Sequence, residues 1–504
     1  MTQRKMMAIL PILFAGLVVF IAGCGGGSGS NTPPPPVPSI QNINSSTTPT
    51  SPVSLPLEIN GSGFQAAPGK VTFTQGNLTV DVTPSDSAWS ETGIVAVVPS
   101  GNGTTNFTTP GTVSVTVTTS GGTSNAVTVN LVPTLNFNPS AMGWTTTTPL
   151  PVPLTGLRAV GVPGTTSSSA FVVVTGGFDG TANTNTVLAD SLNQDGTVGD
   201  TINTTWTTIT TNPLPTTLAH HAMAEADDTN SLVPMGSRFV YVIGGQVNST
   251  DTSGTGAVYV ASVDSTTGAV GAWTALTSSL PQPLYGMSAT VHNGYLYVAG
   301  GVNSSGVPVN TVYSAQVNTD GTLGAWTTST NSLPTATAFG NMFVFGGVIY
   351  YIDGDQNSFI PPNDQDVGDT LVYYASAIRG TVGTWTQNGN STIHDRAKGI
   401  LFNAYGQVIE GEGVYTGSVG SGEMETSTIN ANNTGNDALG SWNGLTGSLG
   451  KVPKANVYNP AGFTSPIVSS TNAPRFLILG GQQLTGTSGA GGSLSSTVYY
   501  NDLP

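Results

Sequence analysis

A tryptophan recurs at roughly regular intervals over most of this 504-residue chain. The clearest copy of the repeat begins at Trp273, continues through an apolar run that ends in Gly300-Gly301, and reaches Val312-Tyr313 after a polar loop. The tryptophans that open successive copies are Trp144, Trp206, Trp273, Trp326, Trp385 and Trp442. Because the same features return in the same order, most of the chain is one structural unit used several times.

The residues within each copy predict an all-β fold. Apolar runs are separated by turns rich in Gly, Asn and Pro, which is typical of short strands. A strand-rich repeat of this kind predicts a β-propeller, in which each blade is one four-stranded sheet. We predict six blades over residues 139–504, because six apolar strands end in a diglycine or its single-glycine equivalent, at Gly176-Gly177, Gly244-Gly245, Gly300-Gly301, Gly354, Gly411 and Gly480-Gly481.

The order of the repeat features predicts how the propeller closes. The last tyrosine strand, at Tyr499-Tyr500, has no tryptophan strand after it, whereas Trp144 precedes the first blade. We therefore expect the strand at Trp144 to complete the blade that ends at Tyr500. This N-terminal strand would close the ring and remove an exposed sheet edge.

Residues 38–132 carry a different pattern. Apolar and polar residues alternate there with period two, without a helical stripe, and the short strands are separated by Gly, Pro and Asn. This pattern predicts an antiparallel β-sandwich.

The first residues have the composition of an export signal. Arg4 and Lys5 precede an uncharged apolar stretch from Ala8 to Ala22, which is too short for an ordinary membrane span. Residues 1–23 are therefore predicted to be a signal peptide. Residues 24–37 are rich in Gly, Ser and Pro and predict a linker that is first flexible and then extended.

Three segments resemble known families. Ile21-Ala22-Gly23-Cys24 resembles the bacterial lipobox, which implies cleavage before Cys24, acylation of that cysteine and a lipid anchor in the bacterial cell envelope, at the outer membrane or cell surface. The alternative is a plain secretory signal with an incidental cysteine. Ile59 to Phe64 and Gly111 to Val117 resemble the IPT/TIG family, which implies an Ig-like domain serving as a spacer or interaction module. The repeats resemble the kelch-type, galactose oxidase-like propellers.

The composition argues against nucleic acid as a partner and excludes an internal disulfide bond. The net charge is −15, only 7% of residues are charged, and basic residues do not cluster, which argues against nucleic acid as a partner. Cys24 is the only cysteine, so the chain cannot form an internal disulfide.

One set of residues is predicted to lie near the starts of the innermost strands, at the channel mouth. These aromatic and basic side chains would suit an anionic or sugar-like ligand. Strand packing is the alternative explanation for them. The set comprises Arg158, His220, Tyr285, Phe339, Arg396 and Tyr458.

An acidic loop is a candidate calcium site. Asp364, Asp366 and Asp369 follow Asp353 and Asp355 in the sequence, and oxygen ligands at alternating positions suit Ca²⁺. The spacing does not match an EF-hand, and a solvated acidic loop is the alternative. No other cofactor is predicted.

No catalytic motif is present. The chain lacks G-x-S-x-G, H-E-x-x-H and P-loop motifs, and Cys24 cannot supply the cross-linked cysteine of a galactose oxidase copper site. We therefore predict a non-catalytic binding or adhesion role toward a glycan or another surface protein. The alternatives are a glycan-active enzyme, favoured if three or more ionisable side chains converge at the mouth, and a structural spacer without a ligand.

Overall fold

The computed structural model divides the chain into two units, Met1–Pro35 and Pro36–Pro504. The second unit holds every strand described below. The described residues are 33–44, 49–132, 143–166, 168–199, 205–227, 237–250, 253–357, 368–404, 406–415, 418–419, 424–429, 438–444, 452, 457–466, 474–483 and 493–502.

Strands dominate these residues. The only helix among them is a 3-10 turn at Asp86–Ala88. No helix in the described part of the chain has the length and apolar character needed to span a membrane. The fold is therefore all-β, as predicted.

The N-terminal strands form two sheets over one core. One sheet has the order β1-β3-β6, and the other has the order β2-β9-β7-β4-β5, with β8 beside β7. Ile59 of the first sheet shares its core with Phe73, Val115 and Leu131 of the second. The strands are β1 (Ser39–Ile43), β2 (Thr50–Pro52), β3 (Pro56–Ser62), β4 (Lys70–Gln75), β5 (Leu78–Val82), β6 (Gly93–Val97), β7 (Gly111–Thr119), β8 (Gly122–Thr123) and β9 (Val127–Val132).

Most later strands form six antiparallel sheets, numbered here along the chain. Sheet 1 contains β11 (Arg158–Pro163), β12 (Ala170–Thr175), β13 (Val187–Leu192) and β14 (Thr207–Thr208). Sheet 2 contains β15 (Ala222–Ala226), β16 (Arg238–Ile243), β17 (Val258–Val263) and β18 (Thr274–Ala275). Sheet 3 contains β19 (Ser288–His292), β20 (Tyr295–Ala299), β21 (Val312–Gln316) and β22 (Thr327–Thr328).

The other three sheets depart slightly from this plan. Sheet 4 has β23 (Asn341–Phe345), β24 (Val348–Ile352) and β25 (Val372–Ile378), with β26 (Thr381–Val382) and β27 (Thr386–Gln387) both on β25. Sheet 5 has β28 (Ile400–Ala404), β29 (Gln407–Gly411), β32 (Met424–Thr428) and β33 (Asn443–Gly444), and the separate hairpin β30 (Val414–Tyr415) with β31 (Ser418–Val419) lies between β29 and β32 in sequence. Sheet 6 has β35 (Ala461–Thr464), β36 (Arg475–Leu479), β38 (Val498–Asp502) and β10 (Thr145–Thr147), while β34 (Val457–Tyr458) pairs with β37 (Gln482–Gln483).

The apolar cores lie between neighbouring sheets. On β16, Tyr241 and Ile243 pack toward sheet 3, whereas Val240 and Val242 pack toward sheet 1. Both faces of this strand are buried, which explains why its sequence is apolar throughout rather than alternating. Equivalent cores join sheets 3 and 4, 4 and 5, 5 and 6, and 6 and 1.

The strand after Trp144 pairs with the last strand of the chain. On β10, Thr145 lies opposite Tyr500 of β38, and Thr146 lies opposite Tyr499. The predicted pairing of these two distant segments is confirmed. The Trp144 ring packs beside that of Phe402, with 6.2 Å between centroids.

The N-terminal sheets contact the turns of sheets 3 and 4. Glu58 on β3 is fully buried, and its Oε2 atom lies 2.5 Å from Nε2 of His292. The same oxygen accepts a hydrogen bond from Nδ2 of Asn293. A Cβ atom on Gly347, in the β23–β24 turn, would lie 3.1 Å from the Glu58 Cβ atom. A buried carboxylate therefore fixes the N-terminal sheets to the rest of this unit.

Candidate functional site

Six residues, one just before the first strand of each sheet, form a closed ring of backbone hydrogen bonds. The backbone amide of each residue donates a hydrogen bond to the backbone carbonyl of the equivalent residue one sheet earlier, over 2.6–3.1 Å. The amide of Gly156, before sheet 1, donates to the carbonyl of Asn459, before sheet 6, over 3.0 Å, which completes the cycle. We call this set the amide ring. Its members are Gly156, His220, Gly286, Phe339, Lys398 and Asn459.

All six residues of the amide ring have a positive φ, between 51° and 64°. Glycine and asparagine tolerate this left-handed conformation, but it is unfavourable for His220, Phe339 and Lys398. Strained residues of this kind persist only where the surrounding structure holds them, and they concentrate at functional sites.

The two glycines leave room for their neighbours' side chains. A Cβ atom on Gly156 would lie 3.0 Å from Nε2 of His220, and one on Gly286 would lie 2.7 Å from the Phe339 ring. The imidazole therefore lies over Gly156, and the phenyl ring lies over Gly286. These two side chains also touch edge to face, with 5.5 Å between ring centroids.

A lysine and two tyrosines complete an aromatic cluster. Nζ of Lys398 lies 4.8 Å from the centre of the Phe339 ring and 4.7 Å from that of Tyr458. It also donates a hydrogen bond to the Tyr458 hydroxyl. The Tyr285 ring lies 6.1 Å from that of Phe339. Cation–π contacts of this kind stabilise a buried ammonium group.

Arg158 lies at the same end of the strands, two residues after Gly156. Its Nη1 atom donates to the Leu157 carbonyl over 2.8 Å and to Oδ1 of Asn459 over 3.2 Å. Nδ2 of Asn459 lies 3.1 Å from Nδ1 of His220. The asparagine side chain thus connects the arginine to the imidazole.

The electrostatic environment of this cluster is positive. Burial lowers the pKa of Arg158 to about 10. Burial, together with the charges of Lys398 and Arg158, holds the pKa of His220 well below its ordinary value. His220 is therefore neutral near pH 7, and the cluster disfavours any further positive charge.

A central cavity of about 580 Å³ extends from this cluster along the first strands of all six sheets. Arg158, Phe339 and Lys398 line it at the amide ring. Each of the strands β11, β15, β19, β23, β28 and β35 pairs on one side only within the described residues, so its other edge carries unpaired backbone groups. The cavity wall is consequently polar.

The structure brings together five of the six predicted ligand-site residues, namely Arg158, His220, Tyr285, Phe339 and Tyr458. The prediction missed Lys398 and Asn459, although both occupy the position in their repeats that His220 and Phe339 occupy in theirs. Both residues lie two positions before the first strand of their sheet, and this shared spacing would have identified them.

Arg396 lies elsewhere. Its side chain is buried, and its Nε and Nη2 atoms donate to Oε1 of Glu425 over 3.1 and 3.0 Å. Nη1 donates to the Glu412 carbonyl, and Nε lies 3.6 Å from Oε1 of Glu410. The expectation that Arg396 projects toward the channel mouth is thus wrong, because buried carboxylates of sheet 5 hold it away from the cavity.

Asp353 is a further buried acid close to Glu410 and to the Arg396–Glu425 ion pair. Burial, and then the charge of Glu410, raises the pKa of Asp353 well above its ordinary value. Burial, and then the charge of Glu425, does the same for Glu410. Thr392 donates a hydrogen bond of 2.8 Å to Oδ1 of Asp353. Asp353 and Glu410, which directly precede Gly354 and Gly411 in their repeats, are therefore two buried carboxyl groups whose surroundings favour the protonated form.

The calcium prediction falls mostly outside the described residues, which exclude Asp364 and Asp366. Asp369 accepts hydrogen bonds from the Leu371 amide, 2.9 Å, and from Nε2 of Gln356, 2.8 Å. Burial raises the pKa of Asp369 to about 6. Within the described part of the chain, no group of three or more His, Cys, Asp or Glu residues is arranged to hold a metal ion. The calcium site stays a prediction.

Comparison with known families finds a short repeat motif in the chain. Residues 283–314 match the Kelch motif, and this segment contains Gly286 of the amide ring and most of the three inner strands of sheet 3. No curated protein matches the chain. The Kelch match supports a kelch-type repeat protein.

Proposed function

We propose that this protein is a lipid-anchored component of the bacterial cell envelope that binds a glycan or another surface protein without catalysis. Its C-terminal part is a six-bladed kelch-like propeller, closed by the N-terminal strand β10. The amide ring around the central cavity is the observation that carries this proposal, because it links the starts of all six sheets in one cycle.

The proposed binding site is the ring end of the central cavity. A cavity of about 580 Å³ falls within the range of small-molecule sites, which combine apolar surface with a few convergent polar groups. Phe339 supplies aromatic surface, and Arg158 supplies a charged donor. Strain at His220, Phe339 and Lys398 is also more typical of a functional site than of plain packing.

The N-terminal sheets are proposed to be an Ig-like domain of the IPT/TIG type. Their two-layer arrangement and shared core support this proposal. The contact between Glu58 and His292 supports an N-terminal domain that is held against sheet 3 rather than one that moves freely, since breaking the contact would expose a buried carboxylate.

The lipid anchor rests on the sequence around Cys24, which lies outside the described residues. Substitution of Cys24 by Ala should abolish lipid labelling and leave the protein unprocessed or released. Metabolic labelling with a fatty acid, followed by membrane fractionation, tests this. A wild-type protein without lipid, together with unchanged fractionation of the variant, would contradict the anchor.

A glycan-active enzyme is the second candidate, because Arg158, His220 and Lys398 do converge near the ring. Hydrolysis of a glycosidic bond ordinarily uses two carboxyl groups flanking the bond. Glu225 is the only carboxylate among the described residues that line the cavity. Glu225 lies three positions after Ala222, the residue with which β15 begins at the amide ring, and is therefore roughly 10 Å farther along the strand. Binding is therefore favoured over hydrolysis.

A glycan array probed with the full chain, alongside a panel of surface proteins, tests the binding role. We expect one class of ligand to be retained, and the retained ligand to be recovered chemically unchanged after incubation. Turnover of that ligand would favour the enzyme. Absence of binding to glycans and proteins alike would favour a structural role.

A further inference from the structure

We propose that the ring end of the cavity is a carboxylate site for an acidic sugar, with Arg158 as its principal donor. This inference rests on the proposed binding function and names the ligand class for the same site. Two features carry it: the unused donors of Arg158 and the polar wall of the cavity.

Only one of the three nitrogen atoms of the Arg158 guanidinium donates hydrogen bonds to described residues. Nη1 makes both of its hydrogen bonds within the protein, to the Leu157 carbonyl and the Asn459 side chain. Its Nε and Nη2 atoms donate to no residue in the described ranges. These two N–H groups lie on one side of the planar guanidinium, which is the geometry that binds both oxygens of a carboxylate.

The charges around Arg158 favour an anion. The protein as a whole is acidic, with a net charge of −15. Near His220, however, burial and the positive charges of Lys398 and Arg158 all lower the pKa of the imidazole. A carboxylate close to the imidazole would raise its pKa instead. The ring end is therefore a positive site within an acidic protein, and such a site concentrates anionic ligands.

The cavity wall favours a ligand with many hydroxyl groups. Six strand edges face the cavity, and side chains bridge some of them. Ser288 donates from Oγ to the Gly340 carbonyl, 2.5 Å, and Thr464 donates from Oγ1 to the Asn403 carbonyl, 3.1 Å. Backbone groups that remain unpaired need partners, and sugar hydroxyls can both donate and accept. The aromatic ring of Phe339 adds an apolar surface at the same end.

Titration calorimetry with the full chain tests this inference, with glucuronate as the acidic probe and glucose as its neutral counterpart. We expect glucuronate to bind measurably and glucose to bind at least about tenfold more weakly, because only the acid engages the guanidinium. A glucuronate-terminated oligosaccharide forms a second arm. Tighter binding of the oligosaccharide would identify a glycan end as the source of the carboxylate, and equal binding would identify the free sugar acid.

Arg158→Gln should weaken glucuronate binding about tenfold or more, and Arg158→Lys should recover only part of it, because lysine keeps the charge but lacks the planar pair of donors. Arg379→Gln is the matched control, since it removes the same charge from a separate groove between β21 and β26. It should bind as wild type.

Two results would overturn the inference. If neutral glycans bind while glucuronate does not, or if Arg158→Gln binds glucuronate as wild type does, the acidic-sugar site is wrong and the broader glycan-binding role stands. If no sugar, glycan or surface protein binds at all, both the inference and the proposed function fail.

Discussion

The amide of Gly156 donates a hydrogen bond to the carbonyl of Asn459 over 3.0 Å, joining the segment before the first sheet to the segment before the sixth. The pairing of Thr145 with Tyr500 joins the same two regions at the outer edge. These two contacts therefore connect the start of the repeat region to its last sheet, one at the innermost strands and one at the outer edge.

The side chain of Arg475 adds a third connection between the first and last sheets. It is buried, pairs with Asp502 at 2.5 and 2.8 Å, and donates to the carbonyls of Asn193 and Gln194 beyond β13. We expect Arg475→Gln to lower the free energy of unfolding by about 2 kcal/mol, because it removes a buried guanidinium from its partly exposed partner Asp502 and leaves two backbone carbonyls without their donor. Urea denaturation measures this.

Arg379→Gln is the control for that experiment, and it should change the unfolding free energy by less than about 0.5 kcal/mol. An equal effect of the two substitutions would show that net charge, rather than the connection made by Arg475, controls stability.

Gly286 should not tolerate a larger residue. Gly286→Ala places a methyl group 2.7 Å from the Phe339 ring at a φ of +64°. We expect a loss of about 2–4 kcal/mol in unfolding free energy, from backbone strain and from displacement of the ring. Gly76→Ala has a similar φ of +58° and no neighbouring atom within 4 Å, so it reports strain alone and should cost about 1–2 kcal/mol. Equal losses of stability for the two variants would contradict close packing of the Phe339 side chain over Gly286.

The contact between the N-terminal sheets and sheet 3 should depend on Glu58. Glu58→Ala removes the acceptor for His292 and Asn293, and we expect a loss of about 2–3 kcal/mol together with faster proteolysis near residues 44–60. Glu91→Ala, at an exposed position, is the control and should behave as wild type. Unchanged proteolysis of the Glu58 variant would show that other contacts hold the two parts together.

The contribution of three buried acids, Asp353, Glu410 and Asp369, to stability should fall as pH rises above about 4, the ordinary pKa of an aspartate. Burial raises the pKa of Asp353 and Glu410 well above their ordinary values and that of Asp369 to about 6, so the folded protein holds protons that the unfolded chain releases. The stability from these groups is complete below about pH 4 and is lost as pH rises through their folded pKa values.

Asp353→Asn removes one of the titrating groups and should flatten this decline, with its largest stabilising effect above pH 6. Denaturation curves collected from pH 4 to pH 8 measure it. Parallel curves for wild type and variant would contradict a protonated Asp353 in the folded protein.

The pairing of β10 with β38 was predictable because it depends on the order of residues along the chain. Trp144 lies before the first diglycine strand, and Tyr499-Tyr500 is the last copy of the tyrosine strand, so the order of the repeat features matched one segment to the other. Strand pattern alone was enough for this prediction, since each repeat marks its strands with the same apolar runs and glycines.

The site was predicted less completely, because residue type does not reveal backbone conformation. Gly156 and Gly286 are typical of a positive φ, but Phe339 and Lys398 give no such signal. The position of Arg396 depends on Glu425, a residue of a later strand whose proximity only the sheet pairing shows. Residues that meet through tertiary packing remain hidden from a single sequence.

Cross-linking of β10 to β38 tests the closed ring most directly. Replacing Thr145 and Tyr500 by cysteines in a chain that also carries Cys24→Ser places the new thiols at opposed positions of neighbouring strands. The account predicts an intramolecular disulfide under mild oxidation, detected by mass after proteolysis, whereas cysteines at Thr327 and Tyr500, on sheets 3 and 6, which share no core, should not form one. Failure of the Thr145–Tyr500 pair to cross-link in a folded protein would contradict closure of the ring by the N-terminal strand.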